Sequence, residues 1–274
     1  MLYAWLASGL TLMYGSSGMV QFAHGDILML GAYLTYWLFV IFNISPLASF
    51  IINIPLFAVV AILIFFTLTS PLQRRSKTRD EFEMATLIAT FAVSMWALNF
   101  ASLSWTTIQR NYRYLPQILS LWGMRIEMNR LLILILSSIS FAFIFIFLRR
   151  TKIGKSIEYA LQNPDAAPLV GVDMKKVTLF THIIGFVTAA TAGTCYSLFW
   201  SVYPTINMYY CLIAWVIIII GGVGSLKGSL VGGLLIGTLE TIGVYILSPA
   251  LRITIDYAVL LLVLYFKPRG FFRR

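Results

Sequence analysis

"LLILILSSISFAFIFIFL", residues 131–148, decides which solvent this chain folds in. The run carries no charged side chain. As a helix it reaches roughly 27 Å, close to the thickness of bilayer hydrocarbon. Three further stretches are equally free of charge: Ala48–Ser70, Met84–Trp105 and Leu230–Leu239. The chain is 59% hydrophobic and only 11% charged, with a mean hydropathy of +0.87. A soluble domain carries about a quarter charged residues. Long unbroken runs, rather than short alternating ones, exclude an outer-membrane barrel and specify an all-α polytopic membrane protein.

Nine segments read as spans: 2–20, 27–43, 47–69, 84–104, 130–148, 177–199, 209–223, 229–247 and 252–266. The expected number is about nine, within a range of eight to ten. The opening "MLYAWLASGL" has no basic stretch and no small-residue cleavage site, so it reads as the first span and not a signal peptide. The whole chain, 1–274, is expected to form a single transmembrane domain. Cys195 and Cys211 sit in or beside apolar runs without metal-ligand spacing and are expected as two buried thiols.

The net charge of +10 is concentrated in a few loops. Arg74, Arg75, Lys77 and Arg79 form one basic cluster. Arg149, Arg150, Lys152, Lys155, Lys175 and Lys176 form another, and Lys267, Arg269, Arg273 and Arg274 close the chain. With nine spans, all of these and Lys227 fall on one side. That side is expected to be the cytoplasm, with the N-terminus outside and the C-terminus inside a bacterial-type plasma membrane. Basic residues arranged this way argue for a lipid membrane as partner and against nucleic acid.

Two long loops remain. Residues 105–129 are expected outside, as a short surface helix with Trp105, Tyr112, Tyr114 and Trp122 at the membrane interface. Residues 149–176 are expected inside as a compact knob. Ile157, Ala160 and Leu161 share one helical face, and Pro164 should end that helix near Asn163. Asp165 should cap a second short helix running to Leu169 or Val170, stopped by Gly171. Mixed polarity makes the knob a docking surface.

"GGVGSLKGSLVGGLLIG", residues 221–237, spaces small residues four apart. Gly224, Gly228, Gly232, Gly233 and Gly237, with Ser225 and Ser229, are expected to let helices approach closely. A phosphate-binding loop is not supported. Lys227 lacks the following Ser or Thr, and an arginine stands where the leading glycine before Gly154-Lys155-Ser156 should be. The two histidines belong to no metalloprotease motif, and no G-x-S-x-G occurs. No catalytic set, cofactor motif or metal site is therefore expected.

"MVQFAHGDILMLGAY", residues 19–33, interrupts the apolar pattern with His24, Gly25 and Asp26, as does Gly18 just before it. Non-helical backbone at membrane depth survives only where it is buried or lines a cavity. Phe22, His24, Gly25, Asp26 and Tyr33 are accordingly the candidate lining of a translocation path. Two plainer expectations stand beside that one: His24 bonded to a backbone carbonyl, and Asp26 serving a helix N-terminus. Glu240 is expected to bond a neighbouring helix, and Arg252 to pair with Asp256 one turn along.

Residues 9–33, "GLTLMYGSSGMVQFAHGDILMLGAY", resemble the N-terminal signature of LivH-type permease subunits of branched-chain amino-acid ABC transporters. "IGKSIEYALQNPDAAPLVGVDMKKV" is similar to that family's coupling loop, "IIIGGVGSLKGSLVGGLLIGTLE" to its late glycine-rich helix pair, and "FKPRGFF" to its C-terminal ending. Gln21 stands where the family usually has asparagine, and Asp26 where glutamate is commoner. The resemblance implies half of a pore working by alternating access, paired with a homologous LivM-type permease subunit. It also implies ATP-binding cassette subunits below, where ATP hydrolysis would occur, and a periplasmic or surface-anchored solute-binding protein above. The coupling contact would comprise Glu158, Asn163, Pro164, Asp165, Ala166, Ala167, Leu169, Val170 and Gly171. Two other classes compete with this reading. One is an ion-coupled secondary transporter acting alone, which would need ion sites near the midplane. The other is a membrane-embedded enzyme, which would need the missing catalytic set.

Overall fold

The computed structural model describes residues 1–121, 124–248, 251–267 and 270–272. Trp122, Arg269, Arg273 and Arg274 lie outside the described residues. The chain runs α1 (Leu2–Ser17), α2 (His24–Phe42) and α3 (Pro46–Ile64), which continues through a π turn (Phe65–Thr69) into α4 (Ser70–Arg75). Next come α5 (Arg79–Trp105), a hairpin of β1 (Ile118–Leu121) and β2 (Met124–Glu127), α6 (Met128–Arg150) and α7 (Lys152–Gln162). A 3₁₀ turn (Ala167–Val170) leads into α8 (Met174–Ser197), α9 (Ile206–Gly221), α10 (Leu226–Ile246) and α11 (Arg252–Phe266).

Six helices among the described residues are long and apolar enough to cross a membrane: α2, the continuous Pro46–Arg75 helix, α5, α6, α8 and α10. All nine expected segments are helical, but α1 and α9 have only 16 residues and α11 only 15. Length and composition therefore identify six crossings rather than about nine.

Helix α8 is the axis of the bundle, packed against α1, α2 and α3. Small side chains allow it to be central: Gly185, Ala189, Ala190, Ala192 and Gly193 let α1 and α2 come close. The outer helices bury only a stripe. In α3 and its π turn the stripe is Ser49, Asn53, Phe57, Ala61, Phe65 and Thr69; in α5 it is Phe82, Thr86, Thr90, Ser94, Ala97 and Ala101. Small and hydroxylic residues mark these stripes, because lipid leaves the opposite face apolar too and van der Waals packing decides which side turns inward. One network ties the centre together. Asn53 Nδ2 donates to Thr194 Oγ1 at 2.6 Å, and the Thr35 hydroxyl donates to Thr194 Oγ1 at 3.0 Å, joining α2, α3 and α8.

Two local expectations are corrected. The 106–127 region holds a two-stranded antiparallel hairpin, not a helix; Ile118 pairs with Glu127 and Leu121 with Met124. Pro116 bars helix before it, and "MRIE" alternates in the strand manner. Trp105, Tyr112 and Tyr114 pack onto α2: Trp105 stacks on Tyr33 at 4.3 Å, and the Tyr112 ring sits 4.7 Å from Phe39. Arg252 pairs with Glu240 of α10, not with Asp256, which accepts from the Tyr209 hydroxyl at 3.1 Å. The packing of α11 against α10 puts Glu240 within reach of Arg252, and Tyr209 supplies Asp256 with a neutral donor.

The glycine stripe of α10 meets two neighbours. Gly228 lies on the Gly221 backbone of α9, where an added Cβ would sit 2.6 Å from the Gly221 carbonyl carbon. Gly232 faces the Ile217 carbonyl, Gly233 faces Ala4 of α1, and Gly224 lies in the preceding turn against Gly15 and Leu161. Gly237 has room, since its nearest atom would be Tyr3 Cδ2 at 3.6 Å. Overpacking of this kind costs about 1–3 kcal/mol, whereas Gly to Ala in an open helix gains up to about 1 kcal/mol. Thermal unfolding in detergent should therefore separate the two: Gly228→Ala melts lower than wild type, and Gly237→Ala melts at or above it.

Candidate translocation and docking sites

Between α1 and α2 the backbone leaves the helix for Gly18–Ala23, deep in the bundle. Gly18 closes α1 at φ 72°, a left-handed conformation natural to glycine. Met19, Gln21 and Ala23 are buried. Each free backbone group here needs a partner, because lipid offers none. Helix α5 supplies partners for three of them. Val20 N–H donates to Thr86 Oγ1 at 3.2 Å, and Phe22 N–H to Thr90 Oγ1 at 3.0 Å. Thr90 Oγ1 also reaches the Val20 carbonyl at 3.1 Å, sharing its single proton with the Thr86 carbonyl of its own helix. The Cys211 thiol of α9 donates to the Phe22 carbonyl at 2.9 Å. Both cysteines are free and buried.

The break ends on His24 and Asp26. His24 is fully buried, and its Nε2 lies 3.0 Å from the Leu6 carbonyl, so that nitrogen carries the proton and donates. Nδ1 is buried without a partner. Asp26 lies in the first turn of α2; its Oδ1 accepts from Asn207 Nδ2 at 2.7 Å, Ser94 of α5 adds a second hydrogen bond, and the Asp26 backbone N–H bonds its own carboxyl. Gly25 permits this pairing, because a Cβ there would strike the Asn207 backbone. Four of the five candidate path residues, His24, Gly25, Asp26 and Tyr33, are thus packed inside the chain. Phe22 is half-buried with its ring edge-on to Phe91 at 5.2 Å.

The hydroxyls that hold the break escaped the sequence reading. Their signal is a Thr-Thr-Ser series at 86, 90 and 94, four apart on an otherwise apolar helix. Asn207, the partner of Asp26, had no local pattern to betray it.

At the basic end, α7 lies across the bundle with Gly154, Ile157 and Ala160 buried. Gly154 rests on the Leu148 and Phe147 carbonyls at the end of α6. The Leu161 side chain reaches the point where Gly15 of α1 meets Gly224. The helix ends at Gln162, but Asn163, not Asp165, caps the next turn: its Oδ1 accepts from Asp165 N–H at 3.2 Å and Ala166 N–H at 3.1 Å. The second helix shrinks to the 3₁₀ turn Ala167–Val170, with Gly171 at φ 82°. Asp173 caps α8 instead, and its carboxyl is held below the usual carboxylate range chiefly by the Lys176 backbone N–H. Of the nine candidate docking residues, Ala167 is buried and Glu158, Pro164 and Ala166 are half-buried; Asn163, Asp165, Leu169, Val170 and Gly171 are exposed. Several of them border a concavity of roughly 530 Å³, together with Lys152, Lys155 and Tyr159, which were not among the expected docking residues.

Thr90→Val removes the hydroxyl that serves Phe22 N–H and the Val20 carbonyl. Leaving such groups unpaired costs about 1–3 kcal/mol. The variant should lose thermal stability, Thr90→Ser should recover most of it, and Thr67→Val, whose exposed hydroxyl bonds only its own helix, should melt like wild type.

Three curated relatives align along nearly the same length. The chain is 25% identical to the high-affinity branched-chain amino acid transport system permease protein BraD of Pseudomonas aeruginosa, over 99% of this chain and 92% of that protein. It is 27% identical to the corresponding LivH protein of Escherichia coli K12, over 99% and 91%. It is 26% identical to the probable branched-chain amino acid transport permease protein LivH of Methanocaldococcus jannaschii, over 89% and 78%. No solved structure matches the chain. The model of one family matches residues 1–266, and by that match the chain belongs to the permease components of branched-chain amino acid transport systems.

Proposed function

We propose that this chain is the membrane-embedded permease subunit of an ABC importer for branched-chain amino acids or closely related small solutes. Family membership supports the transport role, and it leaves the ion-coupled alternative without support. In our reading α1, α9 and α11 also cross, as short helices of about 24 Å, giving nine spans. The basic loops then face the cytoplasm, as does the C-terminus, and the 106–127 loop faces outward.

One observation carries the mechanism. Helix α7 is seated by Leu161 on the junction of Gly15 and Gly224, while its other side and the 3₁₀ turn are open to water. Leu169 is 87% exposed and Val170 71%. Large apolar side chains so exposed beside a concavity mark a protein contact. We assign that contact to the ATP-binding subunit, which hydrolyses the nucleotide. Closure of two such subunits would push α7, and α7 would move the end of α1 that leads directly into Gly18–Ala23. Packed helices pass on such a push as rigid-body rocking. The break, through half-buried Val20 and Phe22, is the segment that a second permease subunit, homologous and LivM-like, would face across the path. A solute-binding protein would deliver the solute from the opposite end.

Reconstitution with the ATP-binding subunits, the second permease subunit and the binding protein tests this. The assembly should take up leucine only with ATP, and uptake by this chain alone on a sodium or proton gradient would overturn the proposal. Gly171→Arg forces a side chain into a left-handed conformation costing about 1–2 kcal/mol locally and puts a cation into the docking turn. It and Pro164→Leu should insert normally yet keep less than a tenth of wild-type uptake, with ATPase activity no longer stimulated by loaded binding protein. Wild-type uptake at equal expression would remove these residues from the contact.

A further inference from the structure

At the end opposite the basic loops, Arg110 is held unusually firmly for a loop residue. Its backbone exchanges two hydrogen bonds with buried Val202, at 2.9 and 2.7 Å. Its Nη2 donates to the Trp105 carbonyl at 3.0 Å. The guanidinium carbon stands 5.0 Å from the Trp37 ring and 5.9 Å from the Tyr36 ring. Thr106, just before it, has φ 63°, a strained value for a β-branched residue, and such strain persists only where surrounding contacts impose it. Yet none of the ion pairs among the described residues includes Arg110, and its Nε is buried without a partner.

Two more polar groups meet there in the same condition. Trp37 Nε1 and the Tyr33 hydroxyl are buried and unpartnered. Tyr33 is fully enclosed and stacked on Trp105, whose carbonyl holds Arg110. Tyr33 and Trp37 are one turn apart on α2, so both side chains leave the same face of that helix. An indole N–H and a guanidinium can only donate, and the phenol donates readily. Three donors, one of them cationic, lack an acceptor inside an aromatic cage.

We propose that the cage of Tyr33, Trp37 and Arg110 binds the carboxylate of a small organic acid, and that in transport it receives the carboxylate of the incoming amino acid. The second clause rests on the permease reading above; the first does not. A planar carboxylate matches the guanidinium fork and can take further hydrogen bonds on its free lone pairs. The enclosed Tyr33 and Trp37 donors favour a small free acid over a carboxylate fixed on a partner protein's surface, which could reach Arg110 alone. Asp26 lies on the same face of α2, about 16 Å from Trp37 along the helix. The seam between α2 and α5 therefore begins with a cation and passes an anion, an order suited to a zwitterion moving carboxylate first.

Equilibrium binding of radiolabelled isovalerate to the full chain in nanodiscs tests the proposal. Saturable binding is expected, competed by leucine but not by leucinamide or isopentylamine. Tyr33→Phe and Trp37→Phe keep their rings and lose one donor each, and each should weaken binding about 5- to 10-fold. Arg110→Lys, which loses the fork, should weaken it at least tenfold. The proposal is overturned if the folded wild-type chain shows no saturable binding, if leucinamide competes equally, or if the two ring-preserving variants bind like wild type. It is also overturned if Arg110→Lys affects only association with a solute-binding protein. Isovalerate binding without ATP-driven uptake by the assembled transporter would sink the permease reading alone, and uptake without cage binding would sink this inference alone.

Discussion

The structure depends on how six residues of non-helical backbone, Gly18–Ala23, are kept inside an apolar bundle. Each unpaired amide or carbonyl at that depth would cost several kcal/mol. Four of these groups are met by side chains of other helices: Thr86 and Thr90 from α5 and Cys211 from α9. Because the partners are side chains and not a continuous backbone ladder, the segment is satisfied without being locked into a regular element. A helix would resist bending there, and an unsupported loop would not stay buried. The hydroxyls also fix the register between the break and α5, so that Asp26 arrives opposite Ser94 and Asn207.

That arrangement connects the two ends of the molecule. At the basic end, Leu161 of α7 touches the junction of Gly15 and Gly224, three residues before the break begins. Beyond the break, α2 carries Asp26, Tyr33 and Trp37 along one face toward Arg110. In the proposed mechanism a displacement of α7 would enter α1, meet a segment with few backbone bonds of its own, and be passed to α2. Small residues make the contacts at both transfers: Gly15 and Gly224 below, Gly25 against Asn207 above. A methyl group at either place would separate the helices and break the connection.

Much of this was legible in the residues. Charge-free runs such as 131–148 announced a helical membrane protein, and α7 ends at Gln162, two residues before Pro164, as the proline's chemistry requires. Gly228 did meet a neighbouring backbone. What misled the reading was length and context. Helix α1 has 16 residues, and hydropathy alone does not say whether so short a segment crosses. Asn163 and Asp165 are both competent caps; only the backbone path of the turn favours Asn163. Arg252 had two acceptors at hand, and the fold of α10 against α11, invisible in sequence, favoured Glu240. The break itself was visible at Gly18, His24 and Gly25, but its support was not, because Thr86, Thr90 and Asn207 are far away along the chain and commonplace by composition.

Amide hydrogen exchange, resolved at single residues in the intact chain, addresses the break most directly. The Val20 and Phe22 amides should be protected to a degree comparable with the helical amides of α2, and Thr90→Val should release Phe22 selectively. Exchange of both amides at the rate of a solvated loop in the wild-type chain would contradict the account, since the segment would then be satisfied by water and not by α5.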